Sequence, residues 1–514
     1  MSGAGDPGRP GESPAADRYK WIALSTTTLG TLMAALDTNI VLIALPSIGR
    51  SLPGTSPFDI LWILMGYSLI TAVLLLSLGR LSDQFGRSRM YTLGFAVFTV
   101  GSALCSFSGT GSELVVFRMV QGLGAALLLA NAAAILTDAF PPHERGRALG
   151  VNQISIVVGA VTGLLLGGLL TGTLGWRSIF YVNVPIGLFA TIWSAYRLKE
   201  LAELDQVQRI DWAGNVTFGL GLTAVLAGIT LEALGVVPLG TLLLCLAGGG
   251  ALLVAFVVVE HRSPHPMIDL KLFRIPVFSG SNLAIFLNSL ARGAFSFVIV
   301  FYLQGPPRFL SPLAAGLFLV PVSAALATLG PVSGILSDRY GSRPFAVLGL
   351  LVSAIGFFLL AGIGPATSFE GLLPAFLLIG AGLGIFASPN RASMMSSVPP
   401  RRRGVAAGTG TTLMNAGSTL SLGLAVLVLA RNLPASSLAA IFTGTSAEVP
   451  ANFSAAGFLS GIHLVFLISG LLLLVGIVPS VLRPDPVQRP GRDRPAGGQG
   501  DGGPTDARRR RRRS

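Results

Sequence analysis

The sequence is poor in charge. Only 11% of its 514 residues are Asp, Glu, Lys or Arg, less than half of the roughly 25% found in soluble domains. This deficit extends along a chain long enough for two or three soluble domains. An ordinary soluble enzyme is therefore excluded. A receptor with a single span is excluded as well, because apolar residues run through nearly the whole length.

Cysteine and histidine are also scarce. Cys105 and Cys245 both lie inside apolar stretches, and the four His residues are scattered without the spacing of metal ligands. Neither a disulfide framework nor a metal site is therefore predicted. The chain has no Walker A sequence, and the glycine-rich segment 380–384 follows no strand, so we expect neither ATP-driven transport nor a dinucleotide cofactor.

Long apolar runs stand where the charge is missing. Mean hydropathy is +0.70 and 51% of the residues are hydrophobic. A helix crosses a membrane with about 20 mostly apolar residues, and these runs are too continuous for the alternating strands of an outer-membrane barrel. We predict an all-α polytopic membrane protein. Its fourteen spans are predicted at 21–45, 61–78, 90–108, 113–137, 147–171, 178–196, 212–232, 237–259, 278–303, 313–334, 345–363, 371–395, 404–430 and 458–482.

The basic residues behind the net charge of +13 indicate how the chain is oriented in the membrane. Of the 36 basic residues, 30 fall in the tails and in every second connection, four fall in the other connections, and two lie inside spans. Since Lys and Arg concentrate on the cytoplasmic side, both termini are predicted to be cytoplasmic, in a multi-pass protein of the plasma or inner membrane.

The two tails, 1–20 and 483–514, are polar and rich in Gly and Pro, and both are predicted to be disordered. The second tail ends in six arginines, Arg508–Arg513. One interpretation is a solvated tail that fixes the topology. Another is that these arginines bind anionic lipid headgroups. Nucleic-acid binding is not favoured by either interpretation.

One segment occurs twice. Residues 79–89 read GRLSDQFGRSR and residues 334–343 read GILSDRYGSR. Each copy ends one predicted helix, turns on the cytoplasmic side and begins the next, and the copies lie about half a chain apart. Internal repeats of this kind are typical of secondary transporters, in which two halves move about a central site.

The repeated segment resembles motif A of the major facilitator superfamily. Four more segments are similar to signatures of its fourteen-span drug:proton antiporters: ALDTNIVLIALP at 35–46, RMVQGLGAA at 118–126, GAVTGLLLGG at 159–168 and WRSIFYVNVPIG at 176–187. The resemblance covers about 20–482. It implies six-helix halves at 21–196 and 278–482, separated by two inserted helices within 197–277.

The resemblance also implies roles for the glycines and charged residues of motifs A and C. Motif A would latch helix ends in the outward-facing form through Gly79, Asp83, Gly86 and Arg87, and in the second copy through Gly334, Asp338 and Gly341. Motif C would form a stiff packing surface against the other half through Gly159, Gly163, Gly167 and Gly168, with Leu164 in place of the motif's proline.

Charges inside a bilayer are costly and point to function. Asp37, Arg118 and Arg292 are the three that lie deep in predicted spans. We predict that Asp37 pairs with Arg118 and carries the proton, because a change in burial or pairing alters the proton affinity of a carboxylate. Gln121, on the same face as Arg118, would relay hydrogen bonds. The alternative is a static ion pair that joins two helices.

Arg292 is the least expected of the three. Ser281, Asn288, Arg292 and Phe295 share one helix face, and the resemblance places that helix beside the central cavity. We predict a substrate cavity formed by Gln121, Asn288, Arg292, Phe295 and Asn415, with Asn390 and Arg391 as weaker candidates. The deep charges sum to +1, which favours an anionic substrate; structural pairing of Arg292, for example with Asp37, is the alternative.

Together these features indicate a proton-coupled exporter of drugs or similar amphipathic molecules. It would need no cofactor, would be driven by the proton gradient and would act as a monomer on small molecules. A lipid-linked flippase and an uncoupled facilitator remain alternatives. A membrane enzyme is not favoured, since the sequence offers no cluster of His or acidic residues.

Overall fold

The computed structural model describes residues 14–141, 144–201, 211–306, 308–399, 402–443 and 454–484. Within these ranges the regular secondary structure is entirely helical. The arginines Arg508–Arg513, for which lipid binding was considered, lie outside the described residues.

The described residues form seventeen α-helices and one 3₁₀ helix. The α-helices are α1 Pro14–Ser51, α2 Pro57–Phe85, α3 Arg87–Phe107, α4 Gly111–Ala139, α5 Arg145–Thr173, α6 Ser178–Tyr181, α7 Asn183–Arg197, α8 Trp212–Ala233, α9 Leu239–Arg262, α10 Pro276–Arg292, α11 Phe295–Gln304, α12 Pro312–Tyr340, α13 Ser342–Leu360, α14 Phe369–Ser396, α15 Arg403–Asn432, α16 Ala435–Thr443 and α17 Ala455–Leu482. They supply fourteen segments long and apolar enough to cross a membrane. The predicted all-α fold with fourteen spans is confirmed.

Two predicted spans are broken. The span predicted at 178–196 divides into α6 and α7, and the span at 278–303 divides into α10 and α11 at Gly293 and Ala294. A Cβ on Gly293 would lie 2.4 Å from the carbonyl oxygen of Ser418, so the break lies directly against α15. The Ser421 hydroxyl accepts a hydrogen bond from the amide of Ala294 at 3.0 Å. This bond satisfies a backbone donor that a break inside a membrane would otherwise leave unpaired.

The helices pack as two groups with the same internal pattern. In the first group α1 lies against α5. Both α2 and α3 lie against α4, and α3 also lies against α7. In the second group α10 lies against α15. Both α12 and α13 lie against α14, and α13 also lies against α17. The two inserted helices, α8 and α9, pack against each other, and α8 also packs against α2 and α15. The repeated packing is the three-dimensional counterpart of the repeated sequence segment.

The two groups meet along α5–α12 and α2–α15. Because the number of spans is even, α1 begins and α17 ends on one side, which we call the terminal face. At the opposite face, Cβ atoms on Gly168 and Gly316 would lie 2.5 Å from Leu313 and Leu164, respectively. Nearer the terminal face, a Cβ on Gly150 of α5 or on Gly330 of α12 would meet open space. The α5–α12 contact is therefore tight at the opposite face and open around Gly150 and Gly330, whereas in the α2–α15 contact a Cβ on Gly408 would lie 2.2 Å from Leu76.

Candidate functional site

A buried carboxylate lies at the centre of the first helix group. Asp37 accepts hydrogen bonds from Arg118 Nη1, from Gln121 Nε2 at 2.8 Å and from Asn183 Nδ2 at 3.0 Å. All four side chains are 0% exposed. The residue lies about 21 Å along α1 from its end at Ser51, near the middle of the span. The predicted pairing of Asp37 with Arg118 is therefore present in the structure.

Arg118 is stabilised by groups from several helices. Its Nε donates to the carbonyl oxygen of Ile63 at 3.2 Å, and its guanidinium stacks 4.3 Å from the centre of the Tyr67 ring. Its Nη1 also donates to Gln121 Oε1, while Nη2 has no hydrogen-bond partner among the described residues. One carboxylate, one backbone carbonyl and one aromatic ring thus compensate a fully buried cation, as such a charge requires.

Gln121 connects this pair to a third helix. Its Nε2 donates both to Asp37 and to the hydroxyl of Ser102 on α3, the latter at 2.7 Å. These two hydrogen bonds have the geometry that the predicted relay by Gln121 requires. Because Gln121 is fully buried in the cluster, however, it does not line a cavity in this conformation, which corrects its predicted place among the substrate contacts.

Sequence reasoning missed Asn183, Ser102 and Tyr67. Asn183 begins α7 directly after the break that separates it from α6, and this break places its amide against Asp37. A signal was available, since Asn183 is a polar residue two positions before a proline in an apolar segment. Ser102 and Tyr67 carried no comparable signal, because hydroxyl-bearing residues are frequent in all of these spans.

Arg292 has no protein counter-ion. Its guanidinium forms no ion pair or hydrogen bond within the described ranges, its Nε is a buried atom without a partner, and the residue as a whole is partly exposed. The alternative pairing with Asp37 is not present, because Arg118 occupies that carboxylate. Asn288, one turn earlier on α10, is 5% exposed and its Oδ1 also has no partner.

The predicted polar stripe on α10 does not continue into α11. Phe295 is only 2% exposed and packs edge-on against Phe357 and Phe376, with Phe466 also in contact. Its prediction as a cavity residue is wrong for this conformation, since burial among aromatic rings favours the core position. Asn415 on α15 is partly exposed, as a cavity residue should be.

Ser281, at the start of the same predicted stripe, lies in a different buried cluster. Its hydroxyl accepts from Arg483 Nη1 at 2.8 Å, and its carbonyl accepts from Asn390 Nδ2 at 3.1 Å. This cluster ties α10, α14 and the end of α17 together. Ser281 and Asn390 are both 0% exposed in this conformation, and sequence reasoning did not anticipate their contacts with Arg483.

The first motif A copy forms an ion-pair bridge on the terminal face. Arg87 Nε donates to Asp83 at 2.8 Å, and Arg87 Nη1 donates to Asp138 of α4 at 2.7 Å. The turn between α2 and α3 requires a glycine because Gly86 has φ +104°, and a Cβ there would lie 2.6 Å from the Glu200 carboxylate. That carboxylate accepts the backbone N–H of Ser88 at 2.9 Å, near the positive end of the α3 dipole.

The second copy keeps the turn and lacks the bridge. Gly341 has φ +85°, like Gly86. Asp338 is exposed and has no ion pair among the residues that the structure describes. Gly79 lies against α4, where a Cβ would meet Ala130 at 3.9 Å. Gly334 lies against α14, where a Cβ would meet Ser388 at 2.8 Å.

The glycines of motif C face the first helix. Cβ atoms on Gly159, Gly163 and Gly167 would meet α1 at Leu32, Leu36 and Ile40, at distances of 2.5 to 3.0 Å. The expected packing surface against the other half is therefore corrected for these three residues, which hold α5 against the helix that carries Asp37. Among the predicted glycines, it is Gly168 that meets the second group, through Pro312 and Leu313.

Enlarging Gly168 should open the contact between the halves. In Gly168→Val, the new Cβ would overlap the backbone of Leu313, which cannot move independently of α12. We expect a greater distance between spin labels at the α5 and α12 ends on the opposite face. Gly172→Val is the matched control, because a Cβ there meets nothing within 4 Å. Equal label distances in both variants would contradict the proposed role of this contact.

Comparison with known proteins places the chain in a family. The model of the Major Facilitator Superfamily matches residues 27–422 and 281–513. The riboflavin transporter RibZ of Clostridioides difficile is 31% identical over 404 residues, covering 77% of this chain and 86% of that protein. The tetracenomycin C resistance and export protein of Streptomyces glaucescens is 34% identical, covering 79% and 75%. Multidrug resistance protein 3 of Bacillus subtilis is 30% identical, covering 77% and 76%.

Solved structures show the same fold at low identity. The POT family transporter PepTSo aligns with a TM-score of 0.63 at 14% identity, over 92% of this chain and 100% of that chain. The xylose transporter XylE from E. coli aligns with a TM-score of 0.58 at 17% identity, over 91% and 99%. Given the family match and relatives of about one-third identity along three quarters of its length, the chain belongs to the major facilitator superfamily and is a multi-pass transporter of the cell membrane.

Proposed function

We propose that this protein is a proton-coupled exporter of drugs or similar amphipathic small molecules, with Asp37 as the proton carrier. The observation that carries the proposal is the Asp37 cluster. A carboxylate with 0% exposure in mid-membrane has one cationic partner, Arg118, and two amide donors. Two relatives named for drug resistance or export support the direction of transport.

Protonation of Asp37 would change the packing of the cluster. A neutral carboxyl leaves Arg118 without a counter-ion, and a protonated oxygen must donate where it previously accepted. Arg118 donates to Oδ2 of Asp37, and Gln121 and Asn183 both donate to Oδ1, so a proton on either oxygen competes with a donor already there. Since these groups lie on α4 and α7, proton binding on α1 is linked to the contacts between three helices, and a linked conformational equilibrium must shift with it.

The distribution of basic residues suggests that the terminal face is cytoplasmic. The open part of the α5–α12 contact would then face the cytoplasm, and we propose that substrate enters from that side. In the outward-facing form, Asp37 would accept an external proton while substrate leaves. We propose that the monomer is the working unit.

The proposal is tested in everted membrane vesicles that contain the full chain. Ethidium and carboxyfluorescein serve as cationic and anionic probes, and an acid-inside pH gradient is imposed. We expect uptake of at least one probe while the gradient stands and loss of uptake when nigericin collapses it. Uptake of both probes at the same rate without a gradient would indicate an uncoupled facilitator and would overturn the proposal.

A further inference from the structure

We infer that the substrate is an organic anion, with a carboxylate or phosphate on an apolar body, which is met by Arg391 near the terminal face and held by Arg292 in mid-membrane. This inference rests on the proposed transport function and names the substrate class of the same cavity. It is carried by two partly or fully exposed arginines in the second helix group and by the polar helix face that joins them.

Arg292 lies at the depth where a substrate site is expected. It is about 24 Å along α10 from Pro276, and Gln304, at the end of α11, is about 18 Å away in the other direction. A charged side chain at this depth faces protein or a water-filled cavity rather than lipid. Because its guanidinium has no partner within the described ranges, its donors remain available.

Within the described residues of the second half, no acidic side chain lies at the depth of Arg292. From Pro276 to Leu482 the sequence has three acidic residues, Asp338, Glu370 and Glu448. Asp338 lies two residues before the end of α12 and Glu370 is the second residue of α14, so both are at helix ends, and Glu448 lies outside the described residues. A cation left uncompensated in mid-membrane is costly. A bound anion would remove that cost.

Arg391 marks the opening of the path. It lies five residues before the end of α14, is exposed, and has one long contact, from Nη2 to the Thr411 hydroxyl at 3.4 Å. Thr411 is in the part of α15 nearer the terminal face. The side chain therefore lies on α14 about 8 Å from the terminal end of that helix, beside the first turns of α15.

A polar face of α15 connects the two arginines. Thr411, Asn415 and Ser418 follow at helical spacing, and all three are partly exposed. The backbone of Ser418 packs against Gly293, the residue next to Arg292. The track from Thr411 to Ser418 is about 10 Å long. The helix break at Gly293 thus places Arg292 at the inner end of a polar track that begins at Arg391.

The chemistry of the two side chains selects anions. A guanidinium binds a carboxylate or phosphate through two parallel N–H bonds, which gives orientation as well as attraction. The Asp37–Arg118 pair is internally neutral, so it does not offset the two cations. A lipophilic cation near both arginines would be repelled by them.

The test measures binding of carboxyfluorescein and ethidium to the purified full chain by fluorescence anisotropy. We expect carboxyfluorescein to bind and Arg292→Gln to weaken it at least about tenfold. Arg292→Lys should restore part of the affinity, and Arg391→Gln should weaken it less than Arg292→Gln. Arg274→Gln, which removes an exposed arginine near the start of α10, is the matched control and should change nothing.

A second measurement needs no variant. Octanoate should displace carboxyfluorescein from the unaltered protein, and octylamine should not. To separate a free acid from a lipid headgroup, movement of fluorescent phosphatidylglycerol across proteoliposomes is followed in parallel. Headgroup binding predicts movement that is lost in Arg292→Gln; free-acid binding predicts carboxyfluorescein transport without lipid movement.

Two results would overturn the inference. One is equal carboxyfluorescein affinity in the unaltered protein and the Arg292→Gln/Arg391→Gln variant. The other is gradient-driven uptake of ethidium with no carboxyfluorescein binding, which would leave the proton-coupled function intact. Conversely, Arg292-dependent binding without gradient-driven uptake of either probe would support the anion site and reject the proposed coupling.

Discussion

Asp37→Asn is expected to reduce gradient-driven efflux to the level of vesicles without the protein. Asparagine has nearly the same shape, and its oxygen can still accept from Arg118, Gln121 or Asn183. Because Arg118 loses its counter-ion, the amount of folded variant in the membrane is measured together with transport. It cannot bind and release a proton, and coupling to the gradient is therefore lost. Exchange of labelled substrate across the membrane without a gradient should continue, because that process needs no net proton movement.

The matched control for this experiment is Glu370→Gln. It makes the same chemical change at an exposed position near the start of α14, outside the buried cluster. Both variants are measured as initial rates of probe uptake in everted vesicles, with and without the imposed gradient. Full pH-driven uptake by Asp37→Asn would refute the assignment of Asp37 as proton carrier.

Arg118→Met should give the largest loss of stability. Removing the cation leaves a fully buried carboxylate with amide donors as its remaining partners. Breaking a buried pair in this way costs about 3–5 kcal/mol, because the remaining charge is uncompensated. We expect a clearly lower midpoint of thermal unfolding for the variant purified in detergent.

Two further variants distinguish pairing from general disruption. Asp37→Asn combined with Arg118→Met should recover part of the lost stability, since no unpaired charge remains. Arg431→Met removes an arginine that is largely exposed and bonds Glu232 at 2.8 Å, and exposed pairs contribute about 1 kcal/mol or less. A double variant as unstable as the single one would show that shape, and not charge pairing, governs the effect.

The spacing of the glycines in α5 predicted part of their packing. Gly159, Gly163 and Gly167 recur every four residues, which correctly indicates one close-packed face. The spacing does not say which helix lies against that face. The resemblance suggested the other half, whereas the structure shows α1, because the neighbour of a helix is decided by the arrangement of the whole bundle.

The amino-acid sequence by itself determined the fourteen spans, the repeated halves and the pairing of Asp37 with Arg118. The spans depend on composition, the halves on the repeated segment at 79–89 and 334–343, and the pairing on two opposite charges that lie deep in predicted spans. Only the tertiary structure revealed Asn183 beside Asp37, the break at Gly293 and the unpartnered state of Arg292. These features depend on contacts between helices far apart in the chain, and no local pattern records which distant backbone a residue will meet.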